Sequence, residues 1–218
     1  MIKIKDILRT FWQKNKHFTL MFYFIFYLAW FAFLEKTITT DFNVIHMSID
    51  DYIPFCEYFI VPYLLWFLYI AVVIVYMGFC DKKEYFRMCA FLFIGMTLFL
   101  IISTLYPNGH LLRPSSFERD NIFTQLVAHL YSTDTPTNLF PSIHVYNSIG
   151  VHLAIAHSET TKHHKLIRPA SAILMISIIL ATVFLKQHSV FDVLTAFLTA
   201  GVVYFFVYVK NWKKQRPI

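Results

Sequence analysis

Six apolar runs, roughly residues 18–34, 58–80, 87–106, 140–156, 167–185 and 189–209, leave this chain of 218 residues few folds to choose from. Most approach the ~20 residues that an α-helix needs to cross ~30 Å of hydrocarbon. Inside lipid every backbone N–H and C=O must find a partner within the protein, which selects helices over an open sheet. Composition agrees, because only 15% of the residues are charged, against about a quarter in a soluble domain. The first run, FTLMFYFIFYLAWFAFL, follows a basic stretch but is succeeded by Glu35-Lys36 instead of a small-residue cleavage site. It therefore reads as a retained helix and not as a signal peptide. The fourth run is short and holds His144, Asn147, Ser148 and His152, so hydropathy marks it least clearly.

Charge orders these runs across a bilayer. With six spans, segments 1–17, 81–87, 158–168 and 210–218 share one side and hold 15 of the 19 Lys and Arg residues. The other side holds Lys36, Arg113, Arg119 and Lys186, so the positive-inside tendency puts both termini in the cytoplasm. That placement accounts for a net charge of +6 without a nucleic-acid partner. Cys56, Cys80 and Cys89 are odd in number and lack metal-ligand spacing, so no disulfide framework is implied. No soluble second domain and no repeat is evident, and residues 1–218 are expected to form one membrane-embedded domain. In the long outer connection, about 107–139, Ser115 and Glu118 have capping-box spacing, and Ile122, Phe123, Leu126, Val127 and Leu130 form an apolar stripe. This predicts a short amphipathic helix lying on the outer membrane surface or packed on the bundle's own loops. The expected fold is thus an all-α integral membrane protein, a six-transmembrane-helix bundle with a short outer amphipathic helix.

Three polar clusters sit at span boundaries on the predicted outer side: Arg113-Pro114, Pro141-Ser142-Ile143-His144, and Lys186-Gln187-His188 followed by Asp192. Ionisable residues beside spans are costly, which makes function their default explanation. His188 and Asp192 are four residues apart at the start of the sixth helix, and Thr195 and Thr199 continue that face. An Asp that accepts from one imidazole nitrogen leaves the other free as a nucleophile, although the pair could also be a plain helix-start hydrogen bond. Pro141 suits a first helical turn, whose free N–H groups attract anions. Ser142 adds a hydroxyl there, and the looser polar face of Ser148 and His152 is expected to turn toward helix six. Arg113 brings a planar, bidentate donor set suited to phosphate, and Lys186 a point charge. Together these residues amount to a kit for phosphoryl transfer without a metal or other cofactor. His163-His164 lies in the predicted cytoplasmic loop and reads as a polar loop.

The clusters resemble the signature motifs of the type-2 phosphatidic acid phosphatase superfamily of membrane lipid phosphatases: Lys-x6-Arg-Pro, Pro-Ser-Gly-His, and Ser-Arg-x5-His-x3-Asp. The corresponding segments here are YPNGHLLRP, PSIH and ATVFLKQHSVFD, spanning about 106–192. Tyr106 stands at the family's lysine, Ile143 at its glycine, and Ala181-Thr182 at its Ser-Arg pair. Two cations are therefore missing, and Lys186, about one turn from Thr182, is the expected substitute for the second. The resemblance implies His188 as nucleophile through a phosphohistidine, Asp192 as its orienting partner, and His144 as acid to the leaving alcohol. It implies Arg113, Ser142 and Lys186 as phosphate holders. Members with Lys-Gln-His in the third motif resemble a bacterial branch, which implies a bacterial cell (plasma) membrane with the site on the outer face. The implied partners are the bilayer and a lipid phosphate, with release of its phosphate. The third motif is also similar to that of sphingomyelin-synthase-like head-group transferases. A non-catalytic lipid-binding protein or transporter is a further alternative.

Overall fold

The computed structural model describes residues 12–210, so most of the basic segments 1–17 and 210–218 lies outside the described residues. Among the described residues five helices are long and apolar enough to cross a membrane. They are α1 (Lys16–Thr37, its first part, Lys16–Phe22, in 3-10 form), α2 (Ile60–Cys80), α3 (Lys82–Leu105), α6 (Ile167–Phe184) and α7 (Val190–Tyr204, extended by a π turn to Lys210). The fourth apolar run forms α5, Ile143–His157. At 15 residues it is about 22 Å long, short of a bilayer core, so among the described residues the other five meet the requirement of length, while α5 runs inside them to the turn between α2 and α3, where Ser158 donates to Asp81 at 2.7 Å. With this all-α build the chain is an integral membrane protein.

α5 occupies the middle of the bundle, in contact with α2, α3, α6 and α7. Its residues Val145, Tyr146, Asn147, Ser148, Gly150 and Val151 are buried. A helix enclosed by other helices faces protein instead of lipid, so it can carry polar groups that a lipid-facing helix could not. The α3–α5 approach is tight. A side chain at Gly95 would meet the Tyr146 ring, and one at Gly150 would meet Phe91 and Leu92. Tyr146 is fixed in turn, stacked on Phe91 at 4.6 Å and donating its hydroxyl to the Phe91 carbonyl at 2.8 Å.

α1 is peripheral and packs on α3. The Tyr23 ring stacks on Phe93 at 4.0 Å, its hydroxyl reaches Thr97, and Trp30 Nε1 donates to Thr104. Two apolar cavities, about 410 and 450 Å³, lie between α1 and α2. α4 (Ile122–Thr133) is the expected amphipathic helix. Its cap is Asn121, whose side chain accepts from the Phe123 and Thr124 N–H groups, and not the Ser115–Glu118 box that spacing suggested. A glutamate on the bundle decides this start: buried Glu57 accepts from the Asn121 amide at 3.0 Å and from Arg119 at 3.3 Å. Val127 is buried and Phe123 and Leu130 pack against the bundle, while Ile122 and Leu126 stay exposed.

The loops at the α4 end of the bundle interlock through a two-residue parallel pairing, β1 (Asn43–Val44) with β2 (Asn108–Gly109). Gly109 also bridges to Thr137, and the Asn138 N–H donates to the Asn108 carbonyl at 2.7 Å. Overpacking at the α3–α5 contact has a definite expected cost. Gly95→Ala should destabilise the folded state by about 1–3 kcal/mol, seen as a lowered Tm in detergent, because the buried Tyr146 ring has nowhere to move.

Candidate active site

The turn that carries His188 is built by the end of α6. The N–H groups of Lys186 and Gln187 return to the carbonyls of Val183 and Thr182, and the His188 N–H shares the Thr182 oxygen at 3.0 Å. This ending needs one left-handed residue, usually glycine; here it is Lys186, at φ 51°. Its ammonium explains the exception, donating to the Asp50 carbonyl at 2.7 Å. The Asp50 carboxylate then caps the start of α7. It accepts from the Val190 N–H at 2.8 Å and the Ser189 hydroxyl at 2.6 Å, and from its own turn's Met47 N–H. From the opposite side, the Tyr131 hydroxyl of α4 donates to the Leu185 carbonyl at 2.6 Å. Nothing in the motifs pointed to Asp50. A carboxylate buried to 2% exposure is expensive unless it is paired, and that cost is the signal that could have found it.

Asp192 lies in the first turn of α7, where its carboxylate accepts from the Ser189 N–H at 3.0 Å. The same oxygen lies 3.3 Å from His188 Nδ1. That bond places the proton on Nδ1 and leaves the Nε2 lone pair free, facing His144 Nδ1 at 3.3 Å. The His144 ring packs beside Tyr63 and Trp66, with centroids 4.7 and 4.3 Å away. Burial, with the Arg113 charge adding to it, pushes His188 down to about 3, against the raising effect of a hydrogen bond to the Leu139 main chain. The ring is therefore neutral at physiological pH. Ser142 caps α5 and is fully buried; its own N–H donates to the Asp192 carbonyl at 3.2 Å, joining the second motif to the third.

Arg113 enters from the long outer connection. One guanidinium nitrogen donates to the Asp134 carbonyl at 2.7 Å and the other to Gln187 Oε1 at 2.7 Å, while the Tyr131 ring lies beneath the group at 4.6 Å. Arg113 Nε and Gln187 Nε2 are buried without partners. His110, fully buried, links the same segments. Its Nδ1 accepts from the Leu112 N–H, so Nε2 carries the proton and donates to the Gln187 carbonyl at 2.9 Å. Burial pushes His110 down to about 4, which suits that neutral form. The second-motif loop is held by Asn108 Oδ1, which accepts from the Leu139 and Phe140 N–H groups. Glu35 at the end of α1 accepts from Thr135 and Asn138.

The structure thus brings His144, His188, Asp192, Arg113 and Ser142 together and sets Lys186 to other work, on the Asp50 turn. Tyr106 is half-exposed at the end of α3. The expected inward stripe of Thr195 and Thr199 does not form, because both hydroxyls donate to carbonyls of their own helix. Ser148 likewise bonds the His144 carbonyl, and His152 faces Ser171 of α6, not helix α7.

The class defined by this fold and site is a helical membrane protein with a buried His–His–Asp centre at one end of its bundle. Residues 111–216, nearly half of the chain, match the model of the PAP2 superfamily. The segment carries Arg113, Ser142, His144, His188 and Asp192, and excludes α1 to α3. No curated protein and no solved structure matches the chain.

Two outcomes follow for the site. Asp50→Ala orphans buried donors and should cost about 2–3 kcal/mol; in protein that stays folded, kcat of whatever lipid is turned over should fall more than KM changes. His110 and His188 lie below their ordinary 6.5 in the folded chain. The unfolded chain thus binds these protons first, so their stabilisation is complete above about pH 6.5 and is lost as pH falls toward 4. Between pH 7 and 4.5 the Tm of wild type should fall relative to that of His110→Asn, while Asp134, pushed up to about 6 by burial, works in the opposite sense in both proteins.

Proposed function

We propose that this protein is a lipid phosphate phosphatase that works without a metal, at the outer leaflet of a cell membrane, with both termini in the cytoplasm. The match of residues 111–216 to the PAP2 superfamily supports a phosphatase-type reaction on lipid phosphates. The observation that carries the mechanism is the ordered contact Asp192–His188–His144; a proton on Nδ1 toward the carboxylate leaves His188 Nε2 free on the side of the second ring. His188 Nε2 attacks phosphorus, forming a P–N bond as the P–O bond to the lipid breaks. His144, which takes up a proton as the phosphate enters and so carries two, gives one to the departing oxygen, which leaves as a lipid alcohol. Water then attacks the phosphohistidine, His144 takes one of its protons, and the P–N bond breaks to release phosphate. A separation of 3.3 Å is too small for a phosphorus atom in line between the two nitrogens, so His144 must swing away from His188 as the phosphate enters.

Arg113 Nε and Gln187 Nε2 are the unpartnered donors beside His188, and with Ser142 they would hold the phosphate oxygens. In this reading Lys186 acts through the Asp50 turn and not on phosphate. The lipid portion has a route: the 450 Å³ cavity runs from His144, Tyr63 and Trp66 to the Leu126–Leu130 face of α4. A screen of phosphatidate, phosphatidylglycerophosphate and polyprenyl diphosphate with chelator present tests the proposal. Wild type should release phosphate, and His188→Ala should lose at least about 10³-fold. Activity abolished by chelator would overturn the metal-free mechanism, and full activity in His188→Ala the nucleophile. A labelled acceptor lipid without free phosphate would replace hydrolysis by head-group transfer.

A further inference from the structure

The two apolar cavities share Tyr27, Leu28, Trp66, Phe67 and Ile143 as walls, so one continues into the other beside His144. The second reaches His129, Thr133 and Asp134 at its α4 end; toward the junction the walls are mostly hydrocarbon, yet two side chains there are polar. The Tyr27 hydroxyl and Trp66 Nε1 are both buried and have no hydrogen-bond partner. A buried, unpaired O–H or N–H costs free energy comparable to a lost hydrogen bond, so such groups call for an acceptor. Asn147, one turn along α5 from His144, lines the 410 Å³ cavity with an amide oxygen that also lacks a partner. Rotating that amide presents its nitrogen, so all three groups can donate.

We infer that Tyr27 and Trp66, with Asn147 behind them, form a sub-site for the ester carbonyl of a diacylglycerol-type lipid phosphate. This rests on the lipid phosphatase reading of the adjoining histidines. The chemistry selects the occupant. The walls want an acyl chain, the two donors want a neutral acceptor in otherwise dry surroundings, and Trp66 is in contact with His144. A carbonyl a few bonds from the phosphate ester meets all three conditions, whereas a polyprenyl chain offers no acceptor at all. Tyr27 and Trp66 lie in α1 and α2, outside the segment matched by the superfamily. Selection of the lipid backbone is accordingly a property of this chain's N-terminal helices, and phosphate chemistry that of its C-terminal half.

The test compares a diester phosphatidate with its dialkyl ether analogue, which keeps chain length and phosphate but lacks both carbonyls. Wild type should prefer the ester in kcat/KM, and Tyr27→Phe should shrink the ester-to-ether ratio roughly 3- to 10-fold, as the loss of one hydrogen bond does. Trp66→Phe should shrink the same ratio. Native mass spectrometry of His188→Ala with equimolar ester and ether lipids reads the preference without turnover. Equal binding of the two lipids, or a ratio untouched by Tyr27→Phe, would overturn the sub-site. Absence of phosphate release from every lipid would overturn the phosphatase reading instead, and the binding ratio would still decide the sub-site.

Discussion

Packing of α5 among four other helices is the constraint on which the rest of the molecule depends. Helices that face lipid must be long, apolar and internally paired. α5 is packed among α2, α3, α6 and α7, so it is released from the first two demands. It can stop at 15 residues, begin within the protein instead of at the bilayer surface, and present His144 from its first turn. The tight contacts at Gly95 and Gly150 hold it there. A longer, more apolar fourth helix would span more securely and would leave no recess for a polar centre.

Around that recess the loops are tied to one another more than to the helices they connect. Asn108 fixes the loop before Ser142, Glu35 holds Thr135 and Asn138, and Asp50 caps the helix that bears Asp192. Three of these anchors come from the part of the chain before the superfamily segment. The first half thus supplies the frame for residues of the second. Buried polar networks of this kind are stabilising only when nearly every member is satisfied. Two donors left over in this region, Arg113 Nε and Gln187 Nε2, are the ones the proposed mechanism assigns to phosphate.

Much of this was legible in the sequence. Runs of apolar residues near 20 long marked the five spanning helices, because lipid imposes length and composition directly. The spacing put His188 and Asp192 on one helix face; the two do meet, but His188 sits in the turn before the Ser189 cap and Asp192 reaches it from the first turn of α7. What escaped were features set by tertiary contact. Asn121, not Ser115, begins α4 because Glu57 waits beside it. Lys186 was read as a phosphate cation because charge and position allowed it, but the Asp50 carbonyl claims its ammonium. Asp50 and His110 belong to no spacing pattern; they matter because the fold buries them next to backbone groups that need partners. Thr195 and Thr199 looked like an inward stripe by period alone, yet a threonine in a helix can satisfy itself on the preceding turn.

The covalent intermediate is the most direct point of attack on this mechanism. Purified protein is mixed with a lipid phosphate labelled on phosphorus, quenched in alkali within the first turnover, and digested for mass spectrometry. The mechanism requires an alkali-stable, acid-labile phosphoryl group on His188 that is absent from His188→Ala and disappears as phosphate is released. Turnover with no labelled histidine, or with the label on His144, would contradict it.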